Sequence, residues 1–344
     1  MYLSEEKINI FEAIKKENID ILIYNFYNRD EMKELNKLNN TKIIYINHSS
    51  YFYWLTLWHK YHFERTVYQV YKNCKYVVSL IPLENDYLFK KWGINSIFID
   101  NPITYEYDSV TPSDLSNKNI IMIGRGDDPT KRFELGINAM KGIVKEIPEC
   151  IMNIVSAPYR NLEKLIKNLH LRHNVKITGY QSNPESYLKN SSLHIFPSSC
   201  DTYPMVLSET KIFGIPTIIC GLDYLALSKG GTIIIYDDNP DTLAKEAIKI
   251  LKDDSYRKKL GKEARRSMKK LRNKLVVKRW KKLIFAVYNG IDESLYKKLF
   301  MRYSKKMTED EANIILNHQL NFLKNKIHRF KDLTLEKLKN YSFD

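Results

Sequence analysis

Between Asp20 and Asp238 the chain alternates short runs rich in Ile, Val, Leu and Tyr with longer amphipathic stretches, and this alternation decides the fold class. A short apolar run followed by a helix-length amphipathic one is the repeat of parallel βαβ units. Candidate strands are Asp20–Phe26, Lys42–His48, Tyr76–Ile81, Ser96–Pro102, Asn119–Arg125, Glu149–Ala157, Asn174–Tyr180, Leu193–Ser199, Pro216–Gly221 and Thr232–Asp238. They are almost continuously apolar, so neither sheet face is made for water and helices must cover both. Helical periodicity fills Lys131–Ile147, Asn161–Leu171, Met205–Phe213 and Pro240–Leu251. The polar, Pro-containing stretch 109–117 separates two α/β domains, 1–112 and 113–285. From about Ser255 the pattern is helical only, and Leu260, Ala264, Met268, Leu271 and Leu275 fall on one helical face. Residues 286–344 read as a basic helical extension.

A chain of 344 residues is long enough for two separate cores. No stretch approaches the ~20 apolar residues of a membrane-spanning helix. Glu5, Glu6, Glu12 and Glu17 stand where a signal peptide needs an apolar block, so a cytoplasmic protein is expected. Cys74, Cys150, Cys200 and Cys220 have neither paired nor metal-ligand spacing and read as reduced thiols. Charge is unevenly placed. Residues 1–250 hold 29 Lys and Arg against 29 Asp and Glu, so the net +15 comes entirely from residues 251–344. Any attraction to a polyanion belongs to that C-terminal part.

Two loops hold the residues suited to chemistry. After strand Asn119–Arg125 comes Gly124-Arg125-Gly126-Asp127-Asp128-Pro129-Thr130-Lys131-Arg132. Ligands of open α/β sheets bind at the carboxyl ends of strands, where helix N-termini offer free N–H groups, so Arg125 and Lys131 are placed to meet a phosphate. The alternative is an ordinary loop whose cations pair with Asp127 and Asp128. The segment matches neither the Walker pattern nor the three-glycine dinucleotide fingerprint. The second loop, Pro197-Ser198-Ser199-Cys200-Asp201-Thr202-Tyr203-Pro204-Met205-Val206-Leu207-Ser208-Glu209, sets two carboxylates eight positions apart across a helix start. They would grip a polyhydroxyl ligand, or Asp201 is a turn former and Glu209 a solvated helix residue.

Together these motifs resemble the retaining glycosyltransferases of GT-B fold known as family 4, or glycosyl transferases group 1. That family has Gly-Arg, five residues and Lys, matched by Gly124-Arg125 and Lys131. A glycine follows a later strand (Gly179), then a Pro-Ser strand end (Pro197-Ser198), then an acid, seven residues and a Glu (Asp201, Glu209). Gly214-Ile215-Pro216 completes five motifs in order between about Asn119 and Lys282. The front domain matches more loosely, with His48 where the family has a His after a strand. Asp201 replaces the usual Glu and Thr202 the usual Gly. The family normally opens with a glycine-rich loop and further βα units before the segment matching Asp20–Phe26, so either the chain is a shortened member or its start lies upstream.

The resemblance implies two Rossmann-like parallel-sheet domains facing across a cleft, with the front one short. It implies a nucleotide-diphosphate sugar as co-substrate, no further cofactor and no metal, cations taking the metal's place. Arg125 and Lys131 would meet the leaving diphosphate, Glu209 the ribose hydroxyls, Asp201 the sugar, and His48 the sugar from the opposite domain. Gly124, Gly179 and the helix start at Tyr203, Pro204, Met205 and Val206 would complete the donor site. Asp237-Asp238 reads as a turn, since its spacing does not match a metal-holding Asp-x-Asp. The acceptor would be a glycan or a lipid-linked sugar. A non-catalytic protein that only binds a nucleotide sugar, or serves as a subunit, is the alternative. Arg257–Lys282 carries 14 Lys and Arg and one acid, Glu263, and reads as a solvated face or as a surface for anionic lipid. Residues Tyr51–Tyr71 are rich in aromatics and read as core, acceptor groove or interfacial anchor. No nucleic-acid-binding signature accompanies the charge.

Overall fold

The computed structural model describes residues 9–25, 28–49, 70–71, 74, 76–82, 84–85, 88, 94, 96–222 and 225–290. The aromatic stretch at 51–69 and the extension from 291 onward lie outside the described residues. Among the described residues ten parallel strands form two sheets, as the alternating pattern requires.

The first sheet contains β1 (Ile21–Tyr24), β2 (Lys42–Asn47), β3 (Tyr76–Ser79) and β4 (Ser96–Phe98) in sequential order. Register is set by Ile21 opposite Lys42, Ile44 opposite Tyr76 and Val77 opposite Ser96. Short helices α1 (Ile10–Lys16) and α2 (Arg29–Leu35) are capped by the Asn9 and Asn28 side chains. Alternate residues of the strands bury both faces, as continuous apolar runs demand. Ile44, Ile46, Tyr76, Val78 and Ile97 make one core, while Tyr45 on the other face packs edge-on against Tyr71.

The second sheet contains β5 (Ile120–Ile123), β6 (Met152–Val155), β7 (Val175–Ile177), β8 (Leu193–Phe196), β9 (Thr217–Cys220) and β10 (Thr232–Ile235). Their order in space is β10-β9-β8-β5-β6-β7. The accompanying helices are α3 (Phe133–Glu146), α4 (Arg160–Asn168), α5 (Glu185–Lys189), α6 (Met205–Ile212), α7 (Pro240–Lys252) and α8 (Asp254–Ser267). One face of the sheet packs Met122, Ile154, Ile195 and Ile218 against Ile137 and Met140 of α3 and Leu243 and Ala247 of α7. The other face packs Ile121 and Val155 against Leu188 and Phe213. The Gly214-Ile215-Pro216 motif has a local cause. Gly214 is left-handed (φ 72°), and its N–H and that of Ile215 close α6 onto the carbonyls of Lys211 and Thr210. Glycine is favoured there because a Cβ disfavours that backbone.

Two expectations shift. Compactness divides the described residues after Ile99, with Asp100–Val276 in the second unit and residues 277–290 returning to the first. Residues 100–112 hold to the second unit: Tyr105 packs edge-on against Phe213, the Ile103 N–H donates to Asn273, and the Thr104 hydroxyl donates to Glu209. Leu283, Ala286 and Val287 of α9 (Asn273–Tyr288) complete the first sheet's core. The long C-terminal helix is also broken. After α8 come a 3₁₀ turn at Met268–Leu271 and an extended Arg272, so Leu260, Ala264, Met268 and Leu271 are buried while Leu275 is 37% exposed. Among the described residues no helix is long and apolar enough to cross a membrane.

Candidate functional site

The second sheet grows outward from β5 in both directions. The chain adds β6 and β7 on one side and then returns to lay β8, β9 and β10 on the other. Neighbouring loops at such a reversal leave in opposite directions, which opens a crevice beyond the carboxyl ends of the central strands. Here those strands are β5 and β8, and the loops that follow them are the two the sequence singled out.

The loop after β5 ends in a 3₁₀ turn, Pro129–Lys131, capped by the Asp128 side chain on the Thr130 N–H. Thr130 then ties this loop to the other one: its carbonyl accepts the Ser199 N–H at 2.9 Å and the Ser198 and Ser199 hydroxyls at 3.3 and 3.2 Å. That seam carries Lys131 to Asp201, with Nζ 2.8 Å from Oδ2. Their side chains are only 21% and 16% exposed, so the pair is shielded from water far more than an ordinary surface ion pair. The ammonium also lies 5.9 Å from the Phe196 ring centroid at the end of β8.

Arg125 is placed differently. Its side chain is 77% exposed and donates to Asp128 Oδ2 at 2.6 Å, the within-loop pairing that the sequence offered as the alternative. Asp128 stays below the ordinary aspartate range: burial works to raise it, and the hydrogen bonds from Thr130 and Arg125 and the charge of Lys131 outweigh that. Gly126 presses its N–H onto the Ser156 hydroxyl at 2.8 Å, which fixes the loop against the end of β6.

Asp201 receives the Thr202 N–H at 2.9 Å. Thr202 does not have a positive φ, so the residue that replaces the family's glycine sits without backbone strain. Tyr203 is buried and donates to the carboxylate of Asp100 at 3.2 Å, which makes its ring a support for the loop. Helix α6 begins at Met205, after Pro204 as its cap residue, and carries Val206 in its first turn. Glu209 is half-buried in the second turn and accepts the Thr104 hydroxyl at 2.7 Å. Tyr105 beside it has its hydroxyl pushed up to about 12 by burial and then by the charges of Glu209 and Glu185. Gly179 follows β7 with φ 83°, and a Cβ built there meets nothing within 4 Å. Backbone conformation, not crowding, is what asks for glycine at that position.

His48 follows β2 in the first unit, with its neighbour Ser49 bonded to Asn47. It is exposed at the residue level, while partial desolvation of the ring holds its pKa below the ordinary histidine value.

Several residues at these strand ends carried no signal in the sequence. Arg132 is 8% exposed, donates through Nε to the Pro197 carbonyl at 2.6 Å and pairs with Asp238. The reading of Asp237-Asp238 as a turn describes Asp237, which accepts the Thr242 hydroxyl at 2.6 Å, but Asp238 is an ion-pair partner. Thr104 and Asn183 complete the surroundings of Glu209 and Tyr105. Apart from Asp237 and Thr242, these partners lie 65 to 106 positions apart in the chain and meet only through the fold.

The architecture is that of two parallel-sheet α/β domains, the class to which GT-B glycosyltransferases belong. Within it, residues 106–267 match the family described as Glycosyl transferases group 1, so the resemblance carried by the five motifs is borne out. The chain is similar to the poly(glycerol-phosphate) alpha-glucosyltransferase of Bacillus subtilis (strain 168), 24% identical over 184 residues, covering 52% of this chain and 26% of that protein. It is also similar to the N-acetyl-alpha-D-glucosaminyl L-malate synthase of Bacillus anthracis, 26% identical over 163 residues, covering 46% of this chain and 42% of that one. The matches thus span less than half the length of either relative. Among solved structures, sucrose-phosphate synthase from Thermosynechococcus elongatus superposes with a TM-score of 0.66 at 16% identity, over 81% of this chain and 76% of that one. Anabaena Alr3699/HepE in complex with UDP and glucose gives 0.64 at 13% identity, over 80% of each chain.

Proposed function

We propose that the protein is a retaining, metal-independent hexosyltransferase that moves a sugar from a nucleotide-diphosphate donor to a glycan or lipid-linked acceptor. The observation that carries this reading is the Lys131–Asp201 contact, which brings a cation and a carboxylate from separate motifs together at the reversal of the second sheet. The names of the relatives, a glucosyltransferase and an N-acetylglucosaminyl malate synthase, and the UDP and glucose held by the Anabaena neighbour, support a UDP-hexose donor.

Breaking the bond between the anomeric carbon and phosphate develops negative charge on the diphosphate and positive charge on the sugar. Lys131 and Arg125 would give up Asp201 and Asp128 and turn to the diphosphate. Arg125 offers a two-pronged fork and Lys131 a point charge. Asp201, released from Lys131, would lie beside the sugar and stabilise its positive character. Glu209 would accept the ribose hydroxyls on the oxygen that Thr104 leaves open. Gly124, Gly179 and the backbone from Tyr203 to Val206 would line the donor, and His48 would approach the sugar from the first domain.

The same reading includes peripheral attachment to an anionic membrane at its cytoplasmic face. In α9, Lys278, Lys281 and Lys282 stand exposed beside Val277, Ile284, Phe285 and Tyr288, the mixture of cations and apolar groups that settles at a bilayer interface. Of the basic segment, Arg257, Arg265 and Arg272 are excluded from this role because they bond inside the protein.

Thermal-shift titration of the full chain with UDP-, GDP- and ADP-sugars, followed by transfer of a labelled sugar in EDTA, tests the proposal. One nucleotide class should raise the unfolding midpoint and support turnover without metal. Binding without transfer or hydrolysis would favour the non-catalytic alternative, and no binding to any of the three would end the donor-site reading.

A further inference from the structure

Arg132 is the residue after Lys131, and nothing in the proposed chemistry uses it. Its backbone is left-handed (φ 48°) at the junction between the 3₁₀ turn and α3, a conformation that a side chain with a Cβ disfavours. Its guanidinium is buried and reaches two other strand ends, the Pro197 carbonyl after β8 and the Asp238 carboxylate after β10. Asp238 is itself left-handed (φ 48°). Arg132 Nη2 and Asp238 Oδ1 are both buried without a partner, so the pair is held in place at a cost in unmet polar groups. Two left-handed residues joined by an ion pair whose arginine end is buried are over-determined by their surroundings, an arrangement that recurs where geometry is needed for function.

From this geometry we infer that Arg132 is a positioning residue that holds Lys131 in its working place. The left-handed turn sends Phe133 into the core, where it is 3% exposed, and leaves Lys131 facing Asp201. The clamp on Pro197 and Asp238 locks that turn, so the ammonium is aimed by the residue that follows it. An ammonium on four methylenes loses its aim easily. A loop that wanders by about 1 Å costs on the order of 10²-fold in a well-aligned reaction.

The inference rests on the reading of Lys131 as a donor-binding residue, and its test separates the two. Arg132→Gly keeps the left-handed backbone and deletes the clamp. UDP-glucose affinity is measured for the wild type, Arg132→Gly, Lys131→Ala and the double variant, together with hydrogen exchange over residues 126–132. Arg132→Gly should weaken binding on the order of tenfold when Lys131 is present and less than about twofold when it is Ala. Its amide exchange should quicken in 126–132 and stay unchanged in the strands of the second sheet. Equal losses in the two backgrounds, or exchange that is unaltered or faster throughout the unit, would overturn the inference. If the wild type binds none of the UDP-, GDP- and ADP-sugars, the donor reading fails, and the hydrogen-exchange arm still decides whether Arg132 orders the loop. Arg132→Lys, which keeps the charge without the two-directional fork, serves in the same measurements should the glycine variant not fold.

Discussion

At the residue scale, the contrast between Lys131 and Arg125 decides what each contributes. Lys131 is shielded and aimed, whereas Arg125 is largely in water and engaged with Asp128. Removing a charged donor from a water-poor site costs on the order of 10²–10³-fold in rate. Lys131→Ala should therefore lower the transfer rate by about that factor, and Arg125→Ala by less. A radiolabelled-donor assay of the two variants checks the ranking, and equal losses would contradict it. His194 supports a prediction of another kind. It is fully buried on β8, accepts or donates only through Nδ1 to Thr210 at 3.1 Å and Thr217 at 3.4 Å, and Nε2 has no partner. Burial, then the nearby Lys211 charge, lowers its pKa from 6.5 to about 3. The unfolded chain takes up this proton as pH falls below about 6.5 while the native state refuses it, so stability is lost on acidification, by about 2 kcal/mol at pH 5. Urea unfolding at pH 7 and pH 5 should show this loss in the wild type and a smaller one in His194→Gln. An equal loss in both proteins would place the acid sensitivity elsewhere.

At the scale of elements, the basic segment separates into two kinds of residue that look alike in sequence. Arg257 is fully buried in α8. It donates to the carbonyls of Ile250 and Leu251, which end α7, to Leu115 and to the Asp254 carboxylate. Arg265 bonds the carbonyls of Tyr107 and Val110, and with Arg272 it holds the Tyr107 ring at 4.7 and 4.8 Å. Guanidinium groups suit this work because each satisfies several carbonyls that lack a partner. Lys258, one position from Arg257, is exposed. Arg257→Ala should thus destabilise the protein by about 3–5 kcal/mol, whereas Lys258→Ala should stay within about 0.5 kcal/mol. Denaturant midpoints of the two variants provide the check. Apolar periodicity had predicted the ten strands of the described residues and the helices α3, α4, α6 and α7, because those elements are defined by which side chains they bury. It had carried one helical face on to Leu275, because a break at Arg272 depends on partners from residues 103–108 that no local pattern contains.

At the scale of the whole molecule, attachment to an anionic surface is a matter of summed charge. The full chain should sediment with vesicles containing anionic lipid at low salt and be released as ionic strength rises, since exposed charges are screened within a Debye length of about 8 Å at physiological salt. Retention at high salt would show that apolar insertion by α9 dominates, and failure to bind at low salt would return the segment to a solvated face. The sequence alone determined the two-sheet α/β class, the placing of net charge after residue 250, and the candidates Arg125, Lys131, Asp201 and Glu209, because period and motif spacing are local quantities. Tertiary structure alone decided that Lys131 meets Asp201 while Arg125 turns to Asp128, that Asp238 is paired and not merely a turn, and that Arg257 is internal. Those outcomes depend on which strand ends become neighbours when the second sheet reverses its order, and that adjacency arises between residues too far apart in the chain for any local pattern to record.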